Sequence, residues 1–185
     1  MKILIVYGTR YGATAGTSEE IAIVLREEGF DVRVVNATEE KVNEISDFDL
    51  IIVGSGMKID RWTNEPEQFL KKFRKEMGRK KVALFVSSAM QAIYEHEGNS
   101  EAMERAQRKY LDEKAEKYSL HPIDVAIFGG VLKYDNMGWV TKKTVGQLWR
   151  KVEEAGYEKK DGKYDTRDWE VIREWTRDLV KKVQY

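Results

Sequence analysis

The apolar positions of this chain fall into short unbroken runs separated by longer stretches of helical spacing. Ile3 to Tyr7, Leu50-Ile51-Ile52-Val53 and Val82-Ala83-Leu84-Phe85-Val86 are such runs, and Val32 to Val35 and Ile123 to Phe128 are two further strands, interrupted by Arg33 and Asp124. Continuous rather than alternating apolar character predicts strands covered on both faces, as in a parallel sheet. Between them, Ile21, Ala22, Val24 and Leu25 recur at helical spacing ahead of Gly29, a natural helix stop. Pro66 suits the first residue of a helix whose apolar face is Phe69, Leu70, Phe73 and Met77. Glu101 to Lys117 reads as a charged, mostly solvated helix with few apolar anchors. A last helix from about Asp168 carries Trp169, Ile172, Trp175, Leu179 and Val183 on one stripe. Five strands alternating with helices predict a doubly wound α/β sheet, and right-handed crossovers leave few arrangements of it.

One segment exceeds that pattern. Leu132 to Thr166 lies between the fifth strand and the last helix. It holds an amphipathic helix with Val145, Leu148, Trp149 and Val152 on one side, then a polar stretch, Glu158 to Asp165, that reads as a loop or small hairpin around Gly162. No repeat, low-complexity run or linker divides the chain, so residues 1–185 are expected to form a single domain with 132–166 as an insertion.

Composition narrows the chemistry. The 185 residues include 32 Lys plus Arg and 32 Asp plus Glu, and this lack of net charge argues against a general nucleic-acid binder. With no cysteine, disulfides, thiolate metal sites, thiol catalysis and iron–sulfur clusters are excluded. With only His96 and His121, a histidine-rich metal site is not expected. The apolar run of Met1 to Tyr7 is too short for a signal peptide and reads as a buried first strand. No stretch approaches the ~20 apolar residues of a membrane span, so a soluble, cytoplasmic protein is expected.

In open α/β sheets, ligands bind beyond the carboxyl ends of the strands, at the switch point of strand order. The segments to inspect are therefore Gly8 to Thr14, Gly54 to Lys58, Ser87-Ser88-Ala89-Met90 and Gly129-Gly130-Val131. The first is the most informative, since Thr9 and Thr14 flank Gly12 between a buried strand and a helix. Inward-pointing amides and the partial positive charge of a helix start suit a phosphate. The loop lacks the Gly-Lys-Ser/Thr ending of a triphosphate loop and the Gly-x-Gly-x-x-Gly of a dinucleotide loop. A phosphate monoester held by amides and hydroxyls, without metal, fits better.

Thr9-Arg10-Tyr11-Gly12-Ala13-Thr14 after Lys2 to Tyr7 resembles the flavodoxin phosphate loop, Ser/Thr-x-x-Gly-x-Ser/Thr after strand one. More closely, the chain resembles the flavodoxin-like branch that contains the quinone-dependent protoporphyrinogen oxidases. The carriers are Thr9 to Gly12, Ile52 to Lys58, Phe128 to Tyr134, and Tyr164-Asp165-Thr166-Arg167-Asp168-Trp169. This resemblance implies a five-stranded parallel sheet of order 2-1-3-4-5 with noncovalent FMN at its edge. By position, Thr9-Arg10-Tyr11-Gly12-Ala13-Thr14 would hold the phosphate. Ser55-Gly56-Met57-Lys58-Ile59, with Trp62 nearby, would flank the isoalloxazine ring. Ser87-Ser88-Ala89-Met90, with Tyr94 a few residues on, would form the other ring loop. The implied partner is a redox protein or a quinone, and no acid–base residue is required.

The chain departs from the family in two places. Ala15-Gly16-Thr17-Ser18 intervene before the apolar Ile21-Ala22 pair, and Thr17 with Glu20 reads as a capping box. The first helix starts either at Ala13 or at Ser18 on this reading, and a start at Ser18 would move the phosphate amides. Second, the insertion is strongly charged, with Lys142, Lys143, Arg150, Lys151, Glu153 and Glu154, so membrane insertion is not expected.

Plainer roles compete at several positions. Trp62 has a core role as an alternative, and Lys58 and Arg61 either sit near the electron-rich edge of the ring or are solvated charges. Arg10 screens the phosphate or points outward, His96 reads as exposed and His121 as a loop residue. Gly129-Gly130 either lines the site or permits a close turn. Three functions stay open: an FMN electron carrier, an FMN oxidoreductase of the protoporphyrinogen-oxidase type, and a flavin-free binding module.

Overall fold

The computed structural model describes residues 1–58, 60–133 and 139–184, with the backbone alone for Lys58 and residues 139–145. Ile59 and Tyr134 lie outside the described residues, as do the side chains of Lys58, Trp139 and Val145.

Five parallel strands form the sheet: β1 (Lys2–Gly8), β2 (Asp31–Asn36), β3 (Leu50–Lys58), β5 (Lys81–Ser87) and β6 (Asp124–Phe128). Their order is β2-β1-β3-β5-β6, the arrangement expected from the sequence. The two-residue β4 (Arg61–Trp62) turns back antiparallel on the end of β3. In register, Ile3 faces Val32 on one side and Leu50 on the other, and Leu50 faces Lys81.

The unbroken apolar runs follow from two covering layers. Leu4, Val6, Ile51, Val53, Leu84 and Val86 face one core, and Ile3, Ile5, Leu50, Ile52, Ala83 and Phe85 face the other. Helix α2 (Asn64–Met77) contributes Phe69, Leu70, Phe73 and Met77 to the first. Helices α1 (Ala13–Glu27) and α7 (Trp169–Gln184) close the second through Ile21, Leu25, Ile172, Leu179 and Val183. Each fully buried aliphatic side chain contributes about 1.5–3 kcal/mol.

Three expectations are corrected. Helix α1 starts at Ala13 and not at Ser18. Gly12, at φ 88°, turns the chain directly into the helix. Gly16 is a glycine because the residues leading into α7 press on this turn: a Cβ there would sit 2.3 Å from Arg167 Nη1 and 3.6 Å from the Trp169 ring. Thr17 lies buried inside the helix, so there is no capping box, and Glu20 pairs with Arg173 of α7 instead. Helix α2 starts at Asn64, which leaves Pro66 in the first turn, where its missing N–H is harmless.

The charged helix is the third correction. It is divided into α4 (Ser100–Gln107), a π-helical segment (Arg108–Asp112) and α5 (Glu113–Tyr118). Its inner stripe of Ala102, Ala106, Tyr110, Leu111, Ala115 and Tyr118 is buried. Alanines carry little apolar signal in a sequence, and this is why the face read as solvated.

One ion-pair cluster ties α5 to α2. Glu67 accepts from Lys117 Nζ at 2.7 Å and from the Tyr118 hydroxyl at 2.9 Å, and Lys114 Nζ lies at 3.0 Å. Burial alone would raise its pKa, but the three donors outweigh burial and hold the carboxyl at about 2. A depressed carboxylate pKa stabilises the fold above the unfolded value of 4.5 and loses that contribution as pH falls toward 2. Glu67→Gln should therefore flatten the acid limb of a Tm-against-pH curve between those values. An unchanged limb would show that the cluster carries no linkage.

The insertion adds α6 (Trp139–Glu154) and a small antiparallel sheet of order β7-β9-β8, from Val131–Lys133, Lys163–Asp165 and Lys159–Lys160. Asp161 and Gly162, at φ 49° and 74°, make the two-residue turn of a hairpin. Val152 and Tyr164 lie against Ile93 of α3 (Met90–His96), with Met90, Leu148 and Trp149 around them.

Candidate functional site

Strand β1 ends at Gly8, where a Cβ would lie 2.5 Å from Thr63 Oγ1 and 2.6 Å from Pro66 Cδ. Only glycine lets the strand end pass this close to the start of α2. Beyond it, Thr9 Oγ1 accepts the Gly12 N–H at 3.0 Å and closes the loop. Gly16 N–H donates to Gly12 O at 3.2 Å. The amides of residues 13–15 precede that bond and find no acceptor within the helix. They point out of the start of α1, where the helix dipole favours an anion.

Thr14 lies at the base of this cradle. Its hydroxyl is buried and has no hydrogen-bond partner. The end of β3 forms the wall behind it: a Cβ on Gly56 would stand 3.2 Å from Thr14 Oγ1 and 3.5 Å from Arg10 N. An orphaned buried hydroxyl costs about 1–3 kcal/mol. A ligand oxygen at this cradle would satisfy it together with the helix amides. The donor set of hydroxyls and amides, without a carboxylate among residues 9–14, fits a phosphate monoester.

The next strand ends surround the same point. Ser55 accepts the Thr63 N–H at 3.0 Å and lies 2.9 Å from Gly56 O, so it pins the return of the chain from β3 to α2. Met57 is half-buried. Ser87, at the end of β5, also has a buried hydroxyl without a partner. Ser88 N–H donates to Phe128 O at 2.9 Å, and Ala89 leads into α3. Met90 is half-buried beneath the insertion.

The remaining sequence candidates lie within or around these loops, or on the surface. Trp62 is 6% exposed and faces the core; its indole N–H donates to Tyr110 O at 2.8 Å, and Lys114 Nζ stands 5.5 Å from the ring centre. Tyr94 is half-buried, and Arg61, His96 and His121 are exposed. Arg10 is exposed and stacks on Tyr11 at 5.0 Å. Gly129 and Gly130 face residue 166 and residues 88–89 at close range.

Two links near the site have no counterpart in the sequence reading. The tip of the β3–β4 hairpin carries Asp60 at φ 59°, whose carboxylate accepts from the Tyr110 hydroxyl at 2.7 Å and from Lys109 Nζ at 2.9 Å. The Tyr110 bond foremost, then Lys109, holds that carboxyl below its usual range. Arg167 reaches the first residue of α1, Ala13, at 3.2 Å. Neither link has a local sequence signal, since each joins residues far apart in the chain. Among the described residues, no group of three or more His, Asp or Glu is placed to hold a metal ion. No described helix is long and apolar enough to cross a membrane.

A doubly wound parallel sheet with an amide- and hydroxyl-lined loop at its switch point is the architecture of mononucleotide-binding α/β proteins. Within that class, the chain belongs to the flavodoxin family: residues 4–160 match the family model described as a flavodoxin domain. FMN is the cofactor of that family. The chain is 22% identical over 186 residues to protoporphyrinogen IX dehydrogenase (quinone) of Escherichia coli strain K12, covering 97% of this chain and 95% of the relative. A flavodoxin from the domain Archaea shares the fold with a TM-score of 0.54 at 16% identity, covering the whole of both chains. Oxidised flavodoxin 1 from Bacillus cereus does so with a TM-score of 0.51 at 18% identity, over 83% of this chain and 98% of that one.

Proposed function

We propose that this protein binds FMN noncovalently and passes electrons between partners. The observation that carries the reading is the buried, partnerless Thr14 hydroxyl in a glycine-walled cradle at the start of α1. Thr9, Arg10, Tyr11, Gly12, Ala13 and Thr14 would hold the phosphate, with Thr14 and the amides of residues 13–15 as donors. Ser55, Gly56, Met57, Lys58 and Ile59 would flank one side of the ring. Ser87, Ser88, Ala89 and Met90 would flank the other. Trp62 would support the first ring loop through its bond to Tyr110. When bound, FMN supplies one- or two-electron redox chemistry, and the chain's task is to hold it and set its potential. Residues 1–185 would act as one domain in the cytoplasm, with a redox protein or a quinone as partner.

A second reading, an FMN-dependent oxidoreductase of the protoporphyrinogen type, is favoured by the relative that covers nearly the whole chain. The position of the insertion against α3, beside the second ring loop, also favours it. Oxidation of protoporphyrinogen with a quinone acceptor would separate this from simple electron carriage.

The first test is an absorbance spectrum after FMN is added and the protein desalted. Wild type should retain flavin bands. Thr14→Ala should weaken FMN roughly 10–100-fold, the worth of one hydrogen bond to a charged group. Gly12→Asp should abolish retention, because it strains a residue at φ 88° and sets a carboxylate at the cradle. A wild-type protein that emerges colourless refutes the electron-carrier reading and leaves the flavin-free module.

A further inference from the structure

The segment Tyr164 to Trp169 lies beyond the residues matched to the family model. Even so, each of its polar side chains down to Asp168 is engaged. The Tyr164 hydroxyl donates to Glu153 of α6. Thr166 Oγ1 accepts the Gly130 N–H at 3.0 Å, and Thr166 N–H donates to Gly130 O at 2.9 Å. Asp168 caps α7 by accepting the Glu170 N–H at 2.9 Å. Arg167 is held by Asp165, Nε to Oδ1 at 2.8 Å with a second contact through Nη2, and lies 4.4 Å from the Trp169 ring centre. Its remaining amino group, Nη1, donates to the Ala13 carbonyl.

That last bond bears on the cradle. The Ala13 carbonyl and the Thr14 N–H belong to one planar trans peptide, so they point in opposite directions. A guanidinium that fixes the carbonyl on the α7 side therefore aims the Thr14 amide away from it and limits the freedom of the first helical turn. The Arg167 side chain is only 12% exposed and has its charge matched by Asp165, which makes it a fixed strut. Gly16 provides the room for it, since a Cβ there would stand 2.3 Å from Nη1.

We propose that Arg167 is a positioning residue for the phosphate loop, acting through the Ala13–Thr14 peptide to set affinity for the phosphate of the ligand. The inference rests on the FMN reading above. It predicts an effect on the phosphate end of the ligand alone, which separates it from a general contribution to stability.

The test compares dissociation constants for FMN and for riboflavin, which lacks the phosphate, by quenching of flavin fluorescence. Arg167→Ala should weaken FMN about tenfold and leave riboflavin unchanged, in line with loss of a charge-assisted restraint. Arg167→Lys, which keeps the charge without the planar fork, should recover only part of the preference. Gly16→Ala provides a variant that does not weaken the helix, because alanine favours a helix interior over glycine by about 1 kcal/mol. Its methyl displaces the guanidinium, so the FMN preference should fall while Tm holds. Equal weakening of both flavins, or an unchanged ratio in Gly16→Ala and Arg167→Ala, overturns the role of Arg167. A wild type with no preference for FMN over riboflavin overturns the FMN reading itself, and this inference with it.

Discussion

Phe85→Ala should lower the free energy of unfolding by about 3–5 kcal/mol, the range for removing a buried aromatic ring. Phe85 is fully buried on β5, between β3 and β6, and tilts against Phe128 with ring centres 5.7 Å apart. Its ring also lies over Gly54, its register partner on β3, so closely that a Cβ there would come 2.1 Å from Cζ. Gly54→Ala alone should therefore overpack the core at a cost of about 1–3 kcal/mol. The double variant should be more stable than the sum of the two losses implies, because the new methyl enters the space the ring vacates. Urea denaturation of the four proteins measures this coupling. Strict additivity would mean that the two positions do not share that space.

The second large effect is expected at Gly129. A Cβ there would lie 1.9 Å from the Thr166 carbonyl oxygen and 2.5 Å from its carbon. These are backbone atoms, so no rotamer change relieves the clash, unlike the one at Gly16. Gly129→Ala should break the pairing of Thr166 with Gly130 and release the connection from β9 to α7. A loss of about 2–4 kcal/mol is expected, in the range of the severe single-site mechanisms. Limited proteolysis should then cut between residues 155 and 168, where the wild type resists. An intact digestion pattern with an unchanged Tm would count against this account of the glycine pair.

The sheet was legible because both of its faces are covered, and doubly buried strands leave unbroken apolar runs such as Leu50 to Val53. The candidate phosphate loop was legible because its residues are contiguous between a strand and a helix. What stayed hidden depends on small residues or on distant partners. The spacing from Ala15 to Ser18 reads as a delay before the helix, whereas these residues lie inside it and Gly16 makes room for the segment that leads into α7. Ala102, Ala106 and Ala115 bury a helix that its charge made look solvated. The bond from Trp62 to Tyr110 spans 48 residues and that from Arg167 to Ala13 spans 154, beyond the reach of any local pattern.

The pairing of α7 with α1 also governs how the molecule can be made. Ile3, Ile5, Ile52 and Phe85 face a layer that α7 helps to close, with Ile172, Leu179, Val180 and Val183. On the ribosome, the strands and α1 emerge first, and this half of the core stays only partly covered, by α1, until residues 169–184 have left the exit tunnel. At about 5–20 residues per second, the nascent chain carries a half-covered aliphatic sheet face for several seconds after β5 has emerged. Chaperone capture in that window, and aggregation of chains stalled before residue 169, follow from the same helix pairing that places Arg167 beside the start of α1.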